Sequence, residues 1–371
     1  VVKNKIYIIS GERSGDLHAS NLVLALKKRE AKIQFRGMGG TYSKEAGVDL
    51  AVDYSEVAVM GFLEVVLGFR KVLKYLNLVK NDLLSYRPDA LILVDYGGFN
   101  MKIAAFAKEH GIPVHFYIPP KVWAWNQKRA LKLKQITDQI YSILPFEPEF
   151  FEKFGMKVHY VGNPLLDEIR KFQAHDFFFQ KNELSYQPIV ALLPGSRKQE
   201  ILAMLEKMVS LVREFPNAQF VVAGVDSLPE SIYEPAKKAG IKLVFNQTYD
   251  LLSHSTAAVV TSGTATLETA LFRVPQIVVY RTSSVSYLIA KNLIRVPFIS
   301  LVNLIAGKEV VKELIQDDFS VEKIKTELMQ IFSNVVYKGE MLQGYDLVRE
   351  RIGEASASDT TAQLILDSPK K

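Results

Sequence analysis

Cysteine is absent from the 371 residues, which excludes disulfides and thiolate metal sites and is compatible with a reducing compartment. Histidine is scarce: His18, His110, His115, His159, His175 and His254 show no H-x-x-x-H or related ligand spacing, so a metal centre is not expected. Long apolar runs are missing as well. No stretch approaches the ~18 residues of a spanning helix, and the apolar segment behind Lys3-Asn4-Lys5 is far shorter than a signal-peptide core. Export and membrane spanning are therefore both disfavoured. Neither sign of charge dominates: 46 Lys and Arg against 40 Asp and Glu leave +6, with a pI of about 9.1. This excess suits anionic ligands or an anionic membrane surface. It is modest for the length and accompanied by no recognition motif, so nucleic acid is not an expected partner.

What is present is globular. A hydrophobic content of 48% and a mean hydropathy of +0.07 supply enough apolar surface for a sizeable core, and at roughly 150 residues per domain the length suggests two domains. Short β-branched runs alternate with helical periodicity. Ile6–Ser10, Ala90–Val94, Val114–Tyr117 and Gln139–Ile143 read as buried strands, with helical segments such as Leu17–Arg29 and Met101–His110 between them. The second half repeats the theme at Ile189–Leu193, Gln219–Ala223, Ile241–Phe245, Ala257–Val260 and Gln276–Tyr280. The fold class is α/β: two Rossmann-like domains expected to face each other across a cleft, with ligand loops at the carboxyl ends of the strands. The expected boundaries are residues 1–165, a polar and aromatic linker at 166–188, a second domain at 189–338 and a helical tail at 339–371, with Gly339, Gly344 and Gly353 as breaks.

Several loops carry chemistry. Ile189-Val-Ala-Leu-Leu193 runs into Pro194-Gly195-Ser196-Arg197 and a helix start, where backbone N–H groups, the helix dipole and a guanidinium would converge on an anion such as phosphate. Ser262-Gly263-Thr264-Ala265 opens another helix after a strand, with Glu268 one turn in. That arrangement suits a nucleotide diphosphate, Glu268 accepting from vicinal ribose hydroxyls. In the first half, Gly11-Glu12-Arg13-Ser14-Gly15-Asp16 is a glycine loop opening a helix, though not G-x-G-x-x-G, so a dehydrogenase fits poorly. The other reading of this loop is a capping turn built on Ser14 or Asp16. Asp95 follows the run Leu91–Val94, where a general base for a substrate hydroxyl or a strand-ending Asx turn would equally sit.

The segment 57–84 is apolar around most of a helix, through Met60, Phe62, Leu63, Val66, Leu67 and Phe69, with Arg70, Lys71, Lys74 and Lys80 interspersed. It suits either a membrane interface or a buried core helix. Pro119-Pro120-Lys121-Val122-Trp123-Ala124-Trp125-Asn126 holds both tryptophans and is followed by Lys128, Arg129, Lys132 and Lys134. Such aromatic and basic side chains would suit an amphipathic phosphorylated lipid.

Taken in order, Gly11–Asp16, Val59-Met60-Gly61-Phe62-Leu63-Glu64, Asp95-Tyr96-Gly97-Gly98-Phe99-Asn100, Val122-Trp123-Ala124-Trp125, Leu144-Pro145-Phe146-Glu147, Leu193–Arg197, Ser262–Ala265 with Glu268, and Ser300-Leu301-Val302-Asn303-Leu304-Ile305-Ala306-Gly307 resemble the lipid-A-disaccharide synthase family, from about residue 5 to about residue 350. The resemblance implies an inverting glycosyltransferase of the two-domain GT-B type. Its donor would be UDP-2,3-diacylglucosamine and its acceptor 2,3-diacylglucosamine 1-phosphate, the products being a β-1,6-linked disaccharide 1-phosphate and UDP. It would work as a peripheral protein on the cytoplasmic face of the inner membrane, with no cofactor or metal and as a homodimer exchanging C-terminal segments. By family position Asp95 is the base and Arg197 meets the leaving diphosphate. Gly195, Ser196, Ser262, Gly263, Thr264, Glu268 and Asn303 lie on the donor side. Gly11, Glu12, Ser14, Gly15, Asp16, Asn100, Trp123, Trp125, Asn126 and Arg129 lie on the acceptor side, and residues 57–84 face the membrane lipid.

Three positions depart from the family pattern: Arg13 for a small residue, Gly98 for a second acid, and Pro119 for a serine. The alternatives are another UDP-sugar enzyme of this architecture, such as an N-acetylglucosaminyltransferase or an epimerase, and a non-catalytic membrane protein that binds UDP.

Overall fold

The computed structural model describes residues 3–56, 65–283, 287 and 296–369, with backbone alone for 65–71. Two compact units emerge. The first comprises Val1–Asp167 together with Glu354–Lys371, the second Glu168–Gly353.

The first unit is built on seven parallel strands: β1 Lys5–Ser10, β2 Gln34–Gly39, β3 Val48–Asp53, β4 Ala90–Val94, β5 Val114–Tyr117, β6 Gln139–Ser142 and β7 His159–Tyr160, in the order β3-β2-β1-β4-β5-β6-β7. The second unit carries six: β8 Ile189–Leu193, β9 Gln219–Gly224, β10 Lys242–Phe245, β11 Ser255–Thr261, β12 Gln276–Tyr280 and β13 Lys312–Ile315, in the order β10-β9-β8-β11-β12-β13. Each is a doubly wound Rossmann-like sheet, as the alternating pattern requires. The central strands β4 and β8 are buried along all five residues, because helices cover both faces of a parallel sheet.

Strand alternation decides which helices go where. Along β1, Ile6 and Ile8 point to the face covered by Ala19, Leu22, Val23 and Leu26 of the Arg13–Arg29 helix. Tyr7 and Ile9 point to the other, covered by Tyr75, Leu76, Val79 and Leu83 of the Val65–Tyr86 helix and by Phe99 and Ile103 of the Gly97–Glu109 helix. Each of these large side chains contributes about 1.5–3 kcal/mol by leaving water. The described part of the 57–84 segment is thus a core helix along one face, while Leu73, Leu78 and Leu84 remain partly exposed. Met60, Phe62 and Leu63 lie outside the described residues; Val66, Leu67, Phe69, Arg70 and Lys71 fall where only backbone is described, and Lys74 is exposed. Among the described residues no helix is long and apolar enough to cross a membrane.

The chain's last helix, Ala357–Asp367, belongs to the first unit. Ala357, Ala362 and Ile365 are completely buried against the Ile6/Ile8 face. The buried Lys3 ammonium donates to Ile365 O (2.6 Å), Ser368 O (2.8 Å) and Ser368 Oγ (2.9 Å), which places a cation on the carbonyl end of that helix. Of the three expected breaks in the tail, only Gly353 ends a helix. Gly339 and Gly344 lie inside the helix Val335–Ile352, and Gly344 is there for packing: a Cβ on it would fall 2.3 Å from Val310 Cγ1.

Removing residues 354–371 should uncover this face and destabilise the first unit by about 4 kcal/mol or more, on the area lost by three buried side chains and their partners. Hydrogen exchange read by mass spectrometry should show faster exchange in β1, β2 and the Arg13–Arg29 helix, with peptides of the second unit unchanged.

Candidate active site

In the first sheet the strand order reverses between β1 and β4, so the loops that follow them diverge and leave a crevice at the carboxyl ends. Ser10 and Val94 are register partners, which puts Gly11 and Asp95 side by side just beyond the sheet. The two loops touch. A Cβ on Gly11 would lie 2.2 Å from Tyr96 Cδ1, and one on Gly15 would lie 3.9 Å from Asp95 Cβ. Asp95 and Tyr96 both have left-handed backbones, φ 49° and 48°, in residues that are not glycine, a conformation costing of order 1 kcal/mol or more apiece. Asn100 supports the turn by donating from Nδ2 to Asp95 O (2.7 Å) and Val94 O (3.3 Å). Its buried Oδ1 has no hydrogen-bond partner among the described residues. The strained turn presents Asp95, half-buried, at the N-terminus of the Gly97–Glu109 helix, which has no side-chain cap. Gly98 faces open space, with nothing within 4 Å of a Cβ built there.

Glu12 and Ser14 are exposed at the start of the Arg13–Arg29 helix. Asp16 is not: it is fully buried and accepts from Gly40 N (2.8 Å), Tyr42 N (3.0 Å), Ser43 N (3.3 Å) and Ser10 Oγ (3.3 Å). Its carboxylate ties the loop after β2 to the end of β1 and, being fully buried, is not presented at the surface.

The tryptophan segment divides in the same way. Trp123 is buried and donates from Nε1 to Glu147 Oε1 (2.9 Å), with Phe146 edge-on at 5.0 Å. Trp125 is 45% exposed, the Arg129 guanidinium lies 5.2 Å from its ring centroid, and Asn126 is exposed beside it. Trp123 is therefore the fixed support, and Trp125, Asn126 and Arg129 form the available surface. Burial pushes Glu147 up to about 7, against the opposing hydrogen bonds from Trp123 and Leu144 N.

The second sheet reverses between β8 and β11, where Leu193 and Val260 are register partners, so the Pro194–Arg197 and Ser262–Thr264 loops emerge together. The first of these holds an anion already, and it is the protein's own. Glu200 Oε2 accepts from Ser196 N (3.1 Å) and Arg197 N (3.3 Å), while Oε1 pairs with Arg197 Nη1 (3.3 Å). This capping box needs Gly195 in its left-handed conformation (φ 115°), since a Cβ there would fall 2.6 Å from Glu200 Oε2. Arg197 stays 74% exposed. The helix Thr264–Leu271, by contrast, has no side-chain cap, so its first-turn N–H groups face outward beside exposed Gly263 and Thr264. Ser262 is committed to the fold through Oγ, which donates to Ile299 O (2.8 Å). Glu268, partly buried, accepts from Tyr249 Oη (2.9 Å), and burial raises its pKa.

Asn303, expected beside a nucleotide, is completely buried. Its Nδ2 donates to Val311 O (2.9 Å) and Glu313 Oε1 (2.9 Å), and its Oδ1 accepts from Val310 N (2.7 Å) and Val311 N (3.0 Å). All four bonding positions of the amide are taken, so it acts on a ligand only through the loop it clasps to β13. Among the described residues no group of three or more His, Asp or Glu side chains is placed to hold a metal ion.

Glu147, Glu200 and Tyr249 gained no role from the sequence. Glu147 stands in a quoted motif and Glu200 three residues beyond one, and both become legible once their N–H partners are seen; Tyr249 has no local signal, being 19 positions from Glu268 on another helix.

Two substitutions separate supporting carboxylates from chemical ones. Asp16→Ala should lower stability by about 3 kcal/mol by orphaning two buried N–H groups and a part-buried third, seen as a lower melting temperature. For Glu147 the folded value of about 7 exceeds the ordinary 4.5, so the folded state retains a proton that the unfolded chain releases. Its stabilising contribution is complete below pH 4.5 and is lost as pH rises through about 7, a change on the order of 3 kcal/mol. Glu147→Gln should accordingly flatten the dependence of the urea midpoint on pH between about 5 and 8.

A family model described as lipid-A-disaccharide synthetase matches residues 6–365. The lipid-A-disaccharide synthase of Syntrophus aciditrophicus is 38% identical over 99% of this chain and 98% of its own length. Among solved structures, UDP-GlcNAc 2-epimerase from Neisseria meningitidis bound to UDP-GlcNAc superposes with a TM-score of 0.64 at 14% identity, covering 98% of this chain and 100% of that one. The calicheamicin glycosyltransferase superposes with a TM-score of 0.64 at 15% identity, covering 99% and 100%. At those identities the two structures establish the GT-B-like pair of Rossmann-like domains and nothing about substrate. The full-length family match, whose motifs fall on the loops of both switch points, shows that this chain belongs to the lipid-A-disaccharide synthase family.

Proposed function

We propose that this protein transfers 2,3-diacylglucosamine from UDP-2,3-diacylglucosamine to the 6-hydroxyl of 2,3-diacylglucosamine 1-phosphate, with inversion, releasing UDP. The observation that carries the reading is the end-to-end family match. Its motif carboxylate, Asp95, stands on a strained turn at the first unit's switch point, and strain of this kind is maintained where geometry serves chemistry.

Asp95 accepts the acceptor hydroxyl proton as that oxygen attacks the anomeric carbon from the face opposite the diphosphate. The new C–O bond forms while the bond to the diphosphate breaks, and UDP leaves with the electron pair. The charge that develops on the diphosphate is met by the exposed Arg197 guanidinium and by the uncapped N–H groups of the Thr264–Leu271 helix. Glu268 takes the ribose hydroxyls. Gly195 and Ser196 shape the Arg197 loop, and Asn303 holds the Val310–Val311 backbone that leads into β13. Gly11, Glu12, Ser14 and Gly15, with Trp125, Asn126 and Arg129, form the acceptor side, and Asn100 positions Asp95.

Both substrates are acylated, so the enzyme works as a peripheral protein on the cytoplasmic face of the inner membrane. The contact is assigned to the 57–84 segment by its composition, apolar residues interspersed with Arg70, Lys71 and Lys74, which suits acyl chains beside anionic headgroups. A homodimer with exchanged C-terminal segments would transfer the Ala357–Asp367 helix, packed here on its own chain, to the equivalent face of the partner.

UDP release in mixed micelles tests the reaction. The parent should turn over the diacyl donor with the diacyl acceptor, Asp95→Ala should lose at least ~10²-fold in kcat, and Arg197→Lys about tenfold or more through loss of its planar fork. Turnover of unacylated UDP-sugar alone would overturn the assignment. Replacing Phe62 and Leu63 together by Glu should weaken sedimentation with anionic vesicles by at least about tenfold.

A further inference from the structure

Tyr249 has no role in the mechanism above, yet it makes the hydrogen bond to the Glu268 side chain, Tyr249 Oη donating to Oε1 at 2.9 Å. It sits on the short helix Thr248–Ser253 that follows β10, whereas Glu268 sits one turn inside the helix that follows β11. The tyrosine ring cannot drift, because two others hold it. Phe172 lies edge-on at 5.6 Å and Phe272 tilted at 5.0 Å, and these two meet each other edge-on at 5.6 Å. Such offset and edge-to-face arrangements stabilise the cluster beyond the burial of its rings. A carboxylate on a helix has three χ angles to spend. Anchoring Oε1 from a fixed ring removes that freedom and leaves Oε2, with the outer lone pair of Oε1, to accept from a ligand.

We propose that Tyr249 is a positioning residue whose hydroxyl fixes Glu268 in the orientation that receives the vicinal hydroxyl pair of a ribose. It thereby sets the preference of the second unit for ribonucleotide over deoxyribonucleotide diphosphates. The proposal rests on the reading of Glu268 as the ribose acceptor. Its physical content is preorganisation: the orientation is fixed before the ligand arrives, so binding does not have to order the side chain. Glu168, the other carboxylate whose charge acts on the Tyr249 hydroxyl, lies outside this hydrogen bond, and the phenol's proton goes to Glu268.

Calorimetric titration of UDP and 2′-deoxy-UDP into the parent, Tyr249→Phe and Glu268→Gln tests this, together with donor KM and kcat. Phenylalanine keeps the three-ring cluster and removes only the hydroxyl. The parent should bind UDP about tenfold or more tighter than the deoxy analogue. Tyr249→Phe should weaken UDP about five- to tenfold with little effect on deoxy-UDP, raising donor KM while kcat stays within about twofold. If Tyr249→Phe retains the parent's ratio, or weakens both nucleotides equally, the ring merely packs and the proposal is overturned. If instead the parent does not discriminate, or Glu268→Gln leaves discrimination intact, the ribose reading of Glu268 fails and takes the proposal with it.

Discussion

The pairing of β1 with β4 and of β8 with β11 is the constraint from which the functional surface follows. A parallel sheet that grows outward in both directions from one central pair must send the two following loops to opposite faces, and only there does the carboxyl edge lie open. In this chain four helices begin at these two edges, and three of them lack a side-chain cap. Their N–H groups and dipoles give both edges a positive character that the modest net charge would not provide. The fourth, after β8, is closed by Glu200, so the two loops of the second unit differ: one is a rigid mount for Arg197, the other an open end for an anion.

Carboxylates divide along the same line. Asp16, Glu147, Glu200 and Glu313 each accept from two or more neighbouring donors, and each fastens a loop whose backbone would otherwise be left unsatisfied. Glu313 holds Ile299 N and Ser300 N at 2.9 Å, with Asn303 completing the clasp. Asp95 and Glu268 differ from these in standing at an open edge, the first on a strained turn and the second oriented by a tyrosine. The same motifs thus hold carboxylates that fasten loops and carboxylates that stand at an open edge.

The apolar runs made the central strands legible. Ala90–Val94 and Ile189–Leu193 are buried on both faces and carry no competing signal, and the structure places them as read. Of the edge strands β10 was read at Ile241–Phe245, whereas β2, β3, β7 and β13 carried no such signal. β2 reads Gln-Phe-Arg-Gly-Met-Gly, and its Gly37 is required by close approach to β1: a Cβ there would fall 1.9 Å from Ile8 O, beside a register shift against β3. A strand that gives up side chains for a bulge loses the β-branched alternation by which strands are recognised. β3, β7 and β13 lie at or near sheet edges, where half-exposed residues blur the pattern. The glycines of the tail misled for the opposite reason, since Gly344 sits inside a helix to admit Val310.

By itself the sequence determined the two-sheet α/β class, the place of the central strands along the chain, and through its motifs the family. Those depend on local hydrophobic period and on residue identity, both written along the chain. Only the tertiary structure decided which members of those motifs are buried. Asp16, Asn303 and Trp123 look like ligand contacts in one dimension and are interior fastenings in three. Tyr249, which no motif names, reaches Glu268 from another helix. Hydrogen-bond saturation is a property of neighbours distant in sequence, so spacing along the chain does not reveal it.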